Sequence, residues 1–157
     1  MPQQSSGWKA RLELGFEPRA GRTVLAKRIQ RGPLAVQRPF HPGDGACHVY
    51  LLHPPGGVVG GDELSVRAAA AAEAGALITT PGATKFYRSA GPRAYMEQRL
   101  NVADGGALEW LPQENIVFPG ALADIRTRID LKGQAGFIGW ETLCLGRPAA
   151  DERFDAG

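Results

Sequence analysis

Three alternating runs, each closed by a glycine turn and followed by a second apolar stretch, limit this chain to a β architecture. Leu64, Val66, Ala68 and Ala70 share one face of the first run, with Ser65 and Arg67 on the other. The second spans Tyr95 to Val102, and the third carries Ile125, Thr127, Ile129 and Leu131 before Lys132-Gly133 leads into 135–145. Gly75-Ala76-Leu77 and Gly106-Ala107-Leu108 each reach a proline after three residues (Pro81, Pro112) and a phenylalanine beyond it (Phe86, Phe118). Units of strand, glycine turn and strand predict a stacked, solenoid-like β layer with few helices, not a doubly wound α/β fold. The 21 glycines and 12 prolines suit that turn density. The alanine-rich stretch 68–74 has helical propensity, but it is short and uncapped and ends at Gly75, so it is read as strand continuing into 76–80.

Ahead of these runs, Trp8 to Phe16 alternates weakly within an otherwise weakly ordered lead-in over 1–20. Arg22–Gln30, Leu34–Gln37 and Cys47–Leu52 read as strands. The 157 residues fit one domain, and 43% hydrophobic with 22% charged residues describes a globular chain. A net charge of +2 argues against nucleic acid or an anionic membrane as the main partner. Cys47 and Cys144 have no framework spacing and read as buried thiols of a reducing cytosol. Without an export signal or a membrane-length apolar run, the expected setting is cytoplasmic. Gly146-Arg147-Pro148 and the short acidic end that follows read as an interrupted chain or a short disordered tail.

The segment His53-Pro-Pro-Gly-Gly-Val-Val-Gly-Gly-Asp62 is neither helix nor central strand. Two prolines fix φ, two glycine pairs release it, and a titratable group stands at each end. Gly56–Gly61 could cradle an anion, which makes a small anion- or nucleotide-binding enzyme the alternative reading. Asp62, however, stands where a phosphate loop needs Lys and Ser or Thr, and its carboxylate would repel phosphate.

His41, Cys47, His48 and His53, with Asp44 and Asp62, supply mixed donors but no zinc spacing. A transient site for a borderline metal such as nickel suits imidazole and carboxylate better. Glu109 and Glu141 adjoin Trp110 and Trp140, an environment that can raise a carboxyl pKa, yet no nucleophile setting accompanies them. Thr79 to Arg88, with Lys85 and Arg88, could meet an acidic partner, and Pro81-Gly82 predicts a type II turn.

Taken together, His53–Asp62, Thr80-Pro-Gly-Ala-Thr-Lys-Phe-Tyr-Arg88, Leu108-Glu-Trp-Leu-Pro-Gln-Glu-Asn-Ile116 and Trp140-Glu141 with Leu145-Gly-Arg-Pro148 closely resemble the UreD (UreH) family of urease accessory proteins. The motifs keep the family's order and span most of the chain from residue 22. The resemblance implies a mainly-β helical stack and makes 1–157 the N-terminal part of a longer single domain, C-terminally incomplete. It implies a non-enzymatic scaffold that binds urease apoprotein and, with UreF and the GTPase UreG, delivers nickel through an internal tunnel. No tightly bound cofactor is expected; nickel is cargo in transit. Under that reading Asp62, Glu63, Glu109, Glu114 and Glu141 are candidates for steering the cation, Lys85 for partner contact, and His53, with Asp62, for metal ligation.

Overall fold

Inward-pointing side chains at every second position organise the whole molecule, a computed structural model that describes residues 7–43 and 45–157. Among the described residues, fourteen strands fall into three sheets, which form a β-solenoid of about three turns. The first sheet has the order β12 (Ala123–Leu131), β9 (Ala94–Val102), β6 (Glu63–Ala70), β1 (Lys9–Arg19) and β2 (Arg22–Arg31). The second runs β13 (Gly136–Gly139), β10 (Ala107–Leu111), β7 (Gly75–Thr79), β4 (Cys47–Leu52) and β3 (Ala35–Val36). The third consists of β14 (Leu143–Leu145), β11 (Asn115–Val117), β8 (Thr84–Phe86) and β5 (Gly57–Val58). Each full coil therefore visits the three sheets in turn, as in β6–β7–β8, and neighbouring coils pair in parallel. Among the described strands only β2 and β3 run antiparallel to their neighbours, at the N-terminal edges of the first two sheets.

Stacked rows explain why the alternation closes into a core. Leu14, Ala68 and Leu100 form one inward row, and Phe16, Ala70 and Val102 the next. All six are buried. Small alanines on β6 leave room for the larger side chains on both neighbouring strands, so the rows interdigitate at core density. The alanine-rich stretch is thus strand to Ala70, as its pattern predicts. It then breaks at a corner where the Ala74 N–H donates to Ala71 O (3.1 Å) and Glu73 takes φ +59°.

Several expectations change. The weakly ordered lead-in is, from Lys9 to Arg19, an interior strand of the first sheet flanked by β2 and β6. Pro81-Gly82 is a bend; Gly82 lacks the positive φ that a type II turn demands at its third position. The Gly-Ala-Leu repeat is offset in space, because Gly75 pairs with Ala107 and Ala76 with Leu108. At the C-terminal end, Pro148–Ala150 forms a 3-10 turn, Arg147 pairs with Glu152, and Gly120 N–H donates to Ala156 O (2.7 Å). Among the described residues no helix is long and apolar enough to cross a membrane.

Candidate functional site

The segment His53–Asp62 forms two corners and the short third side between them. Its first corner closes with the Gly56 N–H on His53 O (2.8 Å), Gly56 taking φ +73°. Gly57–Val58 then pairs with Lys85–Phe86, and the Tyr87 ring packs where a Cβ on Gly57 would stand, so a larger residue would displace it. At the second corner the Asp62 N–H donates to Val59 O (3.1 Å) and Gly61, at φ +95°, donates to Arg93 O (3.1 Å). Asp62 is 1% exposed. Its carboxylate accepts the Val59 N–H (3.0 Å) and the Trp8 N–H (2.8 Å), fastening the approach to β1 onto the coil. The glycine-rich stretch therefore contains a strand and leads into β6, with no helix N-terminus behind it. It lacks the architecture of a phosphate loop.

His53 ends the inward row of β4 after Cys47, Val49 and Leu51. It is half-buried, and its Nδ1 is buried with no hydrogen-bond partner. Desolvation pushes its pKa below the ordinary imidazole value, partly opposed by the Asp62 charge, so the ring is neutral at pH 7. It borders a narrow cavity of about 30 Å³, lined by Leu51, Leu64, Met96 and Trp110 together with Thr80, Thr84, Gln98, Asn115 and Glu141. That is room for about one water molecule. Gln98 and Asn115 are 3% and 7% exposed, buried polar groups in an interior otherwise filled by hydrocarbon. On the next coil the Thr127 hydroxyl donates to Glu141 Oε2 (3.2 Å) and lies 3.3 Å from Gln98 Oε1. A polar thread thus runs from the buried wall of the cavity to the exposed Glu141.

The remaining candidates do not join this cluster. Glu63 lies on the outer face of the first sheet, 3.4 Å from Lys9 Nζ. Glu109 faces outward on β10, Lys85 outward on β8, and Glu114 sits half-buried at the β10–β11 corner, its carbonyl accepting the Thr84 N–H (3.0 Å). His41 Nε2 lies 2.6 Å from Thr23 O, and His48 packs at a tilt against Phe40. Cys47 is buried, which raises its thiol pKa, and both cysteines are free. Asp44 lies outside the described residues. Among those described, no three of His, Cys, Asp and Glu group closely enough to hold a metal ion. The cavity can therefore supply one neutral imidazole nitrogen, amide and hydroxyl oxygens, and one carboxylate, sparse polar groups in a lining that is mostly hydrocarbon.

Sequence reasoning missed Gln98, Asn115 and Thr127. The signal was present for two of them: a polar residue at an inward position of an alternating run, Gln98 between Met96 and Leu100 and Thr127 between Ile125 and Ile129.

Comparison with known proteins covers almost the whole chain. The family model for the UreD urease accessory protein matches residues 9–157. The chain is 56% identical to the urease accessory protein UreD of Alcanivorax borkumensis over 155 residues, covering 96% of this chain and 53% of that protein. It is 53% identical over 156 residues to that of Pseudomonas entomophila, with 99% and 56% covered. For Klebsiella aerogenes the figures are 50% over 157 residues, with 100% and 58% covered. The chain spans about half the length of these curated relatives.

Proposed function

The chain belongs to the UreD family of urease accessory proteins, and from that premise we propose that it serves as a scaffold in urease maturation, passing nickel along its solenoid interior. Its named relatives are accessory proteins, not enzymes. The proposed partners are urease apoprotein, UreF and the GTPase UreG, in a cytoplasmic setting that suits two free thiols.

The observation that carries the nickel reading is the unpartnered, buried Nδ1 of His53 beside a small interior cavity that also meets Gln98, Asn115 and Glu141. A neutral imidazole nitrogen is a ligand for a borderline dication. Oxygen groups on Gln98, Asn115, Thr127 and Glu141 would each offer one weak donor, which favours exchange over retention. Delivery needs that property, since a closed four-ligand site would keep the ion. We assign the roles within the candidate set accordingly. Asp62 has its carboxylate engaged by two backbone N–H groups and acts as a fastening, leaving His53 and Glu141 as the proposed cargo contacts. Glu63, Lys85, Glu109 and Glu114, spread over separate faces and corners, are proposed as contacts for protein partners.

Co-expression with UreF tests the scaffold role. Affinity-tagged UreF should retain this chain and its His53→Ala variant equally, whereas the variant should reduce the nickel content of urease matured alongside it. Retention of neither form by UreF contradicts the scaffold reading; full nickel content with the variant contradicts the role of His53.

A further inference from the structure

The outer face of the first sheet carries rows of arginines interleaved with carboxylates. Outward residues on neighbouring strands line up in rows across it. Arg67, Arg99 and Arg128 stand side by side on β6, β9 and β12. One row away, Arg11 is level with Arg31 on one side and, through Ser65 and Glu97, with Arg126. Adjacent strands are about 4.8 Å apart, so three arginines in one row repel one another at a cost to folding.

In-strand acids offset only part of this. Arg11 pairs with Glu13, which stands beside Arg67 in its row, Arg99 with Glu97 (2.8 Å), Arg126 with Asp124 (2.8 Å) and Arg128 with Asp130 (2.9 Å). Apart from the one on the buried Glu13, these pairs are largely solvent-exposed and so contribute little and exchange readily. Among the described residues, Arg31 and Arg67 have no carboxylate within ion-pair distance. A hollow of about 570 Å³ opens on the same face, bordered by the bases Lys9, Arg11, Arg31 and Arg126 and by the acids Glu63, Glu97 and Asp124. Guanidinium groups bind carboxylates through paired N–H donors, and here they flank a concavity large enough for side chains to enter.

We infer that this face docks an acidic polypeptide segment of a protein partner, lying across the strands with its carboxylates on the arginine rows. The interleaved acids favour a polypeptide over nucleic acid. Glu97, Asp124 and Asp130 would repel a continuous phosphate backbone, but they can pair with occasional cations of a protein. This inference is independent of the nickel reading, because none of the arginines lines the interior cavity.

Fluorescence anisotropy of a labelled ten-residue peptide of alternating Glu and Ser, titrated with the full chain, tests it. Binding should be clear at low salt and weaken as salt screens it. Replacing both Arg31 and Arg67 by Gln should weaken it about tenfold, the loss of two charge-assisted contacts. Arg67→Lys, which keeps the charge but not the fork, should weaken it less than the double variant yet measurably. Arg38→Gln, after β3 on the second sheet, should leave it unchanged. Absence of binding overturns the inference, as does an equal loss with Arg38→Gln. A deoxythymidine ten-mer that binds as tightly as the peptide overturns it in favour of nucleic acid. Unchanged thermal midpoints of the variants tie any loss to the face itself.

Discussion

The coil β9–β10–β11 and the coil β12–β13–β14 carry the same alternating pattern and end with opposite burial. On β9 the inward residues Met96, Gln98, Leu100 and Val102 are all buried. Their ladder partners on β12 include Ile129 and Leu131, which remain 42% and 50% exposed. Leu143 and Leu145 on β14, level with the buried Asn115 and Val117, are exposed as well. Periodicity therefore determines which way a side chain points, and the presence of a next coil determines whether it is buried. In a solenoid these are separate quantities, because each repeat is covered only by its neighbours.

The largest expected effect breaks the middle coil. Leu100→Ala, at 0% exposure, should destabilise the fold by about 2–5 kcal/mol, whereas Ile129→Ala in the same row should cost under about 1 kcal/mol. Urea denaturation of both variants checks the difference, and equal losses would erase the contrast between the coils. The corners give a second test. Asp62→Ala leaves two backbone donors without their acceptor and should cost about 2–4 kcal/mol. At the equivalent corner before β9 the acceptor for Gly91 N–H is the exposed Ser89 hydroxyl, and Ser89→Ala should cost about 0.5 kcal/mol. Matching thermal midpoints for those two variants would show that the corners are equivalent after all.

Two titrations sharpen the comparison further. Glu13, held by Lys27 and Arg11, has its pKa lowered to about 2 from 4.5. Since its folded value is depressed, its contribution is present above pH 4.5 and is lost as pH falls toward 2. Glu13→Gln should therefore flatten the acid limb of the stability profile. His53 also has a depressed folded pKa, but as a base: the unfolded chain takes up its proton first, so stability drops as pH falls below 6.5. His53→Gln should remove a small part of the loss between pH 7 and 5.5, read by thermal unfolding. A variant profile parallel to the wild type would show that the ring titrates freely in the fold.

Much of the fold was legible in the sequence because long alternating runs announce strands. Leu64–Ala70 and Tyr95–Val102 were read with nearly the observed bounds. Registration between coils was not legible. The Gly-Ala-Leu repeat aligns Leu77 with Leu108, yet Leu77 points outward and Leu108 inward, since a one-residue offset turns a side chain to the other face. The third sheet was hidden too, as strands of two or three residues such as Gly57–Val58 are too short to show a period.

For the site, His53 was identified, but the environment that makes it interesting was not. Thr84, Gln98 and Asn115 come from two coils and two sheets, and only the ladder brings them beside it. Asp62 and His53 looked like a pair at the ends of one motif. Their roles diverge because one is satisfied by backbone N–H groups and the other is left without a partner.

The most direct measurement is the nickel content per active site of urease matured in cells supplying UreF, UreG and this chain. Wild type should give loaded urease, and omission of the chain should give little nickel. His53→Ala combined with Glu141→Gln should give a clear deficit while the chain still co-purifies with UreF. Full loading without the chain, or with the double variant, would contradict the account.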